Sequence, residues 1–196
     1  FILIFILLAI SSVHTLPFDK NITHNIISEI AIFELGKYPP PNVLYRFLFE
    51  SIISPYTYLL LYMAARSENI DIIKKSFKKR IILIDRFTDS TIAYQHYGMG
   101  VNLNLIETLN KTLLRNINVS FTFLNIVNQK NLQKRLKQRK SLNRYDKFEM
   151  SFYNKVQRGF IKLSKKQKNK YQLINSNLEI DKNEKLILSK INKLIK

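Results

Sequence analysis

Cysteine is absent from the 196 residues, which excludes disulfide staples, thiolate metal sites and a cysteine nucleophile. Histidine occurs three times, at His14, His24 and His96, too scattered for a zinc site. Glycine is almost as scarce: there are four, the first at Gly36. No strand therefore runs into a GxxxxGK[ST] loop, whose backbone N–H groups cradle phosphates. No Gly/Ser-rich or Pro-rich linker splits the sequence, and no internal repeat is evident. Acidic residues are few as well, with 14 Asp/Glu against 32 Lys/Arg, a formal charge of +18 and a pI near 10.0.

What remains is globular in composition, 46% hydrophobic and 23% charged, and 23.2 kDa suits one well-buried domain. The positive charge is lopsided. From Lys130 onward there are 20 Lys/Arg and 5 Asp/Glu, a net of +15; before it the balance is 12 to 9, a net of +3. A basic half can be a nucleic-acid footprint. The excess is mostly lysine accompanied by Ile and Asn, the residues that AT-rich codon drift produces, and a phosphate-handling site tolerates a positive field. A nucleic-acid partner is therefore not the first expectation.

Apolar periodicity and breakers give an alternating pattern. Phe1 to Phe5 reads as a strand prolonged by Ile6 to Ile10, and Asn25 to Phe33 as a weak helix. Pro39-Pro40-Pro41 is a break. Ser54-Pro55 is a helix start, Ser at the cap and Pro at the first helical position, opening a helix towards Lys75. A strand at Arg80 to Ile84 follows, then a helix carrying Tyr94 and another from Leu103 to Leu114. Val119 to Val127 is a strand, Lys130 to Lys140 a basic helix, Ser141 to Asp146 a loop and Lys147 to Lys166 a helix. Tyr171 to Asn175 reads as the last strand and Asp181 to Ile195 as the last helix. Strands alternating with helices predict a parallel sheet covered on both faces. The apolar start, Phe1 to Ile10, reads as the first strand; the alternative is the core of a secretory or organellar targeting segment, although no positive region precedes it. It is too short for an ordinary membrane span.

One stretch carries chemistry in register: RIILIDRFTDSTIAYQHYGMG, Arg80 to Gly100. An apolar strand ends abruptly in Asp85-Arg86, where open α/β sheets place their ligands. Ser90 and Thr91 follow, then Tyr94 and Gln95 a helical turn later. The string closely resembles the DR[YF]xxSxxAYQ segment of thymidylate kinases. The helix string SPYTYLLLYMAAR resembles the same family's SPxTELLLFxAxR, with Tyr for Phe at position 62. Tyr62 and Arg66, four apart, lie on one helix face, and an aromatic plane beside a donor fork suits a nucleobase. Without the neighbouring match, the plain alternatives are a core tyrosine, a solvated arginine and a strand-end salt bridge.

The resemblance implies that Tyr62 stacks on thymine and Arg66 hydrogen-bonds it. Arg86 would bind the dTMP phosphate, while Asp85 would help organise Mg²⁺ through water. Ser90 and Thr91 would line phosphate and sugar, Tyr94 would crowd the 2′ side of the sugar, and Gln95 would contact the base. A third string, LQKRLKQRKSLNRYDKFEMSFYNKVQRGF, resembles the family lid RxxxRxxxxDRFExxxxxFxxxVRxGY. In it Arg135, Arg139 and Arg144 would close over the donor phosphates. Asn143 stands where the family often has Asp, and Asp146 where it has Glu. Phe152, Val156 and Phe160 are expected in the helix core.

The family's donor loop has no clear counterpart. With FILIF set on the family's opening strand, Leu7, Ile10 and Ser12 fall on glycine positions. Val13 takes the lysine position and His14 that of the Mg²⁺-binding hydroxyl, with Ser11 and Thr15 the family-like remnants. The family's REPGGT would fall on Lys37 to Asn42, retaining Pro39 alone, and Asn125 stands at the acid position of LDxxPE. Branched Leu7 and Ile10 block the close backbone approach that glycine permits.

The resemblance thus implies one P-loop NTPase-type kinase domain over 1–196, with a parallel sheet of about five strands flanked by helices, and a lid. Residues 1–50 would be its degenerate part, 51–100 the dTMP segment and 135–147 the lid. Its reaction would be Mg²⁺-dependent transfer of the ATP γ-phosphoryl group to dTMP in a cytoplasmic protein, possible as a homodimer, without membrane attachment. Three readings stay open: an active kinase whose first residues are incomplete or misread, a silent relative that binds dTMP only, and a basic nucleic-acid-binding protein on a kinase-derived scaffold.

Overall fold

The computed structural model of the chain describes residues 4–8, 30–34, 54–76, 81–138 and 148–195. In chain order they form β1 (Ile4–Leu8), β2 (Ile30–Glu34), α1 (Pro55–Ser76), β3 (Ile81–Asp85) and the short α2 (Thr88–Thr91). A π-helix over Ile92–Gly98 continues α2 and leads to α3 (Leu103–Leu114) and β4 (Phe121–Ile126). Then come α4 (Gln129–Lys137), α5 (Met150–Lys166), a 3₁₀ turn (Lys168–Lys170), β5 (Tyr171–Asn175) and α6 (Ile180–Ile195).

The five strands make one sheet in the order β2-β3-β1-β4-β5, and every neighbouring pair is parallel. Alternation along the inner strands divides the core. Ile82, Ile84 and Leu124 face α1, the π-helix and α5, where Tyr94, Phe152, Val156 and Phe160 pack. Leu83, Phe121, Phe123 and Ile174 point the other way, onto Ile187 of α6. This two-sided covering is what a parallel sheet requires, and it brings all five carboxyl ends to one edge. Asp85 ends β3 level with Leu7 of β1 and Glu34 of β2.

Most boundaries follow local chemistry. Ser54 caps α1 as expected: its carbonyl accepts from the Tyr58 amide at 3.2 Å and its hydroxyl from the Tyr56 amide at 3.3 Å. Asn102 and Asn128 cap α3 and α4 through the amides of Leu105 and Asn131. One expectation fails. The weak helix at Asn25 to Phe33 is instead, from Ile30 on, strand β2, hydrogen-bonded along β3. A short apolar run fits either period, and the free edge of β3 decides. β1, at Ile4–Leu8, lies within the apolar run Phe1 to Ile10 expected as the first strand. Pro39-Pro40-Pro41 and the Ser141 to Asp146 loop lie outside the described residues.

The π-helix and α5 approach closely. A methyl group on Gly159 would come within 2.9 Å of Tyr97 Cβ and closer still to its ring, and one on Gly98 would overlap Phe152. Among the described residues no helix is long and apolar enough to cross a membrane.

Candidate nucleotide site

Strand β3 delivers its last residue, Asp85, exposed at the carboxyl edge, and the backbone then turns sharply. Arg86 has φ of 61°, a left-handed conformation that costs a non-glycine residue about 1 kcal/mol. Such strain persists where the surroundings impose it, commonly at binding sites. The turn carries the Arg86 guanidinium over the Tyr94 ring, 5.3 Å from its centroid. Tyr94 is itself buried between Phe152 and Phe160, at 6.0 and 6.2 Å. The ring is thus a platform for the arginine as well as part of the core.

Helix α1 contributes Arg66, which is only 2% exposed. Its Nη1 donates to Asn110 Oδ1 at 2.7 Å and, more weakly, to Met63 Sδ at 3.4 Å. Its Nη2 donates to Thr91 Oγ1 at 2.6 Å and to the Phe87 carbonyl at 3.2 Å. The guanidinium also lies 5.5 Å from the Phe87 ring centroid. Burial pulls its pKa down to about 10, with Asp89 acting in the opposite sense. Tyr62, half-buried, stands one helical turn before it on the same face.

In α1 and the α2–π segment, the buried side-chain atoms Arg66 Nε, Ser90 Oγ and Gln95 Nε2 have no hydrogen-bond partner among the described residues. Gln95 is 1% exposed and sits one turn beyond Thr91, inside the π-helix. Buried polar atoms without partners are rare in folded proteins, and a ligand is one of the few things that satisfies them. π-Helical turns are likewise concentrated at functional sites.

The α2 turn also holds Asp89. It accepts the Tyr171 hydroxyl from β5 and, at 3.4 Å, the Thr88 hydroxyl. Burial raises the Asp89 carboxyl above the usual range, against the pull of Tyr171, Thr88 and Arg66. The Tyr171 phenol is pushed well above its ordinary value, first by burial and then by the neighbouring carboxylate, so it stays protonated and donates.

The structure therefore joins Arg66, Thr91 and Asn110 in one network and sets Arg86 on Tyr94. Ser90 and Gln95 belong to the same continuous α2–π segment. Arg135 is elsewhere along the carboxyl edge: on α4, its Nη2 donates to the carbonyl of Ser176 just beyond β5, and its Nη1 is a further buried donor with no partner among the described residues. Arg139 and Arg144 lie outside the described residues, as do Ile10, Ser11, Ser12, Val13, His14 and Thr15. Leu7 stands within β1, paired with Asp85 and Phe123. Three residues of the network escaped the sequence reading: Asp89, an unassigned position inside a recognised string; Asn110, a polar residue in an amphipathic helix; and Tyr171, the first residue of a strand. Only a polar side chain on an apolar face marked Asn110 beforehand.

A parallel five-stranded sheet with a charged turn at its carboxyl edge is an α/β architecture, and comparison sharpens it to the P-loop kinase fold. A crystal structure of thymidylate kinase from Ehrlichia chaffeensis superposes with a TM-score of 0.73 at 22% identity, covering 97% of this chain and 98% of that one. The thymidylate kinase family model matches residues 21–187. Thymidylate kinases of two Wolbachia strains, from Culex pipiens and Brugia malayi, are each 32% identical over 139 and 149 residues. These matches take in 70% and 75% of this chain and 66% and 70% of the relatives. The chain belongs to the thymidylate kinase family.

Proposed function

We infer that this chain binds dTMP at the α1–α2–π site and that its reaction is the family's, γ-phosphoryl transfer from ATP to dTMP giving dTDP and ADP. The observation that carries the reading is the set of unspent buried donors, Arg66 Nε and Gln95 Nε2, beside the Ser90 hydroxyl. Thymine offers carbonyl oxygens to donors of this kind, and Tyr62 offers a stacking face. Arg86 supplies the charge for a phosphate monoester. Its strained turn sets the guanidinium's height above the sheet edge, so the acceptor oxygen is held for in-line attack. Tyr94, beneath Arg86, limits where the guanidinium can go.

The residues suit Mg²⁺ as well. Asp85 is an exposed hard-oxygen ligand at the strand end, and no cluster of three or more ligating side chains exists among the described residues. Mg²⁺ is commonly held by one or two carboxylates plus substrate phosphates and water; Asp85, acting through water, would meet that need. Bound there, the ion would offset charge on the transferring group. Arg135, Arg139 and Arg144 belong to the segment 135–147 that would close over the donor.

A second reading has its own support, from the sequence. In the register that sets FILIF on the family's opening strand, Ile10, Ser12, Val13 and His14 would fall in its donor-phosphate loop, while Leu7, also set on a glycine position, stands within β1; a valine side chain cannot donate to phosphate. On this hypothesis the chain binds dTMP but turns over poorly or not at all. ³¹P NMR of the purified protein with ATP, Mg²⁺ and dTMP separates the two, run beside thermal unfolding with each nucleotide alone. Stabilisation by dTMP is expected under both readings. Rapid dTDP formation supports the kinase and excludes the silent form; stabilisation by dTMP alone, without turnover, supports the silent form. Neither stabilisation nor product would falsify both.

A further inference from the structure

We propose that Asp89 and Tyr171, both half-buried, form a positioning couple for the base-binding end of the site. Strand β5 holds the carboxylate through the phenol, and the carboxylate supplies the counter-charge that keeps the Arg66 guanidinium in its fork. The inference rests on the dTMP reading for what Arg66 faces, but its structural half stands independently.

Arg66 donates to neutral groups: an amide oxygen, a hydroxyl, a backbone carbonyl and a thioether. A buried cation with neutral partners alone is costly, and a nearby anion offsets part of that cost. Phe87 and Thr91, the two α2-turn residues that Arg66 grips, bracket Asp89 by two positions on either side. Asp89 is also the acid whose charge acts on Arg66.

Asp89 in turn is fixed from the far edge of the sheet. Tyr171 opens β5, two strands beyond β1 in the sheet order, and its hydroxyl reaches the Asp89 carboxylate across the face covered by α5. Along the sheet, Tyr171 is in register with Thr122 of β4. A polar chain therefore runs from Tyr171 to Asp89 in the α2 turn, which Arg66 grips through Thr91 and the Phe87 carbonyl, and on through Arg66 to Asn110. It links β5, α2, α1 and α3. Stability alone is a weak reason for such a chain, because buried ionic groups are often replaceable by apolar ones without loss. Within it stands the arginine that retains an unused Nε. A carboxylate there fixes the direction in which that donor points.

The test uses Asp89→Asn and Tyr171→Phe in the full chain. The probe is thymidine, which lacks the phosphate and so reads the base end only. Calorimetry measures its affinity, orthophosphate binding serves as the control at Arg86, and the ¹⁵N–¹H cross-peak of Arg66 Nε reports the guanidinium directly. Asp89→Asn is expected to weaken thymidine at least tenfold and to displace or broaden the Arg66 cross-peak, while orthophosphate binding is unchanged. Tyr171→Phe is expected to do the same to a smaller extent, about threefold, and carries the test if the asparagine variant does not fold. Unchanged thymidine affinity together with an unmoved Arg66 cross-peak in a folded variant overturns the proposal. If the unmodified protein binds no thymidine, the functional reading fails, and the cross-peak alone still decides whether Asp89 positions Arg66.

Discussion

Arg66 Nη2 donates to Thr91 Oγ1 across 2.6 Å, tying α1 to the turn that follows β3. Two segments that are 25 residues apart in sequence, each resembling part of a nucleotide site, are thereby fastened together. Removing the guanidinium strands Asn110 Oδ1 and the Asp89 charge in the interior. Arg66→Ala is expected to cost about 3 kcal/mol by urea unfolding and to abolish dTMP binding. Arg66→Lys is expected to fold better and bind no better, since a point charge cannot serve Asn110 and Thr91 together as the fork does. A lysine variant with native dTMP affinity would show that the fork is dispensable.

Arg86 combines strain with charge. Glycine accepts a φ of 61° without penalty. Arg86→Gly is therefore expected to unfold within about 1 kcal/mol of the native protein, the relief of strain offsetting the lost cation–π contact. Its affinity for dTMP, measured by calorimetry, is expected to fall at least a hundredfold. A large loss of stability with binding intact would show that the turn serves folding instead of phosphate capture.

Gly159 tests the packing beneath the site. A methyl group there meets Tyr97 at its ring and Cβ, close to the backbone of the π-helix. Overpacking of this kind costs about 1–3 kcal/mol, more than alanine gains in helix propensity. Gly159→Ala is expected to lower the melting temperature and to weaken dTMP binding by shifting the π-helix that carries Gln95. An unchanged melting temperature would mean that α5 and the π-helix separate easily.

The pH dependence of Asp89 has an unusual direction. Because burial raises its folded pKa above the reference of 3.8, the native state holds this proton more tightly than the unfolded chain. Its contribution to stability is full below the unfolded pKa and is lost as pH rises through the folded value. The difference in melting temperature between the native protein and Asp89→Asn is expected to move in favour of the native protein as pH falls from about 7 towards about 4. Movement the other way would place Asp89 in a solvated or strongly ion-paired setting.

The sequence was most legible where one residue type had one physical use. Ser54-Pro55 opened α1 where expected, and Leu103–Leu114 and Tyr171–Asn175 have the bounds that periodicity and breakers indicate. Asp85 and Arg86 stood out because a charged pair closing an apolar run has few uses besides binding or a local ion pair. β2 was hidden, since a short Ile/Phe run fits a helix or an edge strand until its neighbour is known. Asp89, Asn110 and Tyr171 were hidden for a different reason: their importance lies in contacts between elements 44 and 82 residues apart, which no local pattern encodes. The π-helix was read only as helix, because its wider turn leaves no compositional mark.

Binding of dTMP depends above all on the walls that α1 and the α2–π segment supply. Calorimetric titration of the purified chain with dTMP, without ATP, probes them without interference from the donor side. Saturable binding of one dTMP per chain is expected, lost in Arg86→Ala and in Arg66→Ala at protein concentrations where both are folded. A folded native chain that takes up no dTMP, or variants that bind it as well as the native chain does, would show that these walls do not form a nucleotide site.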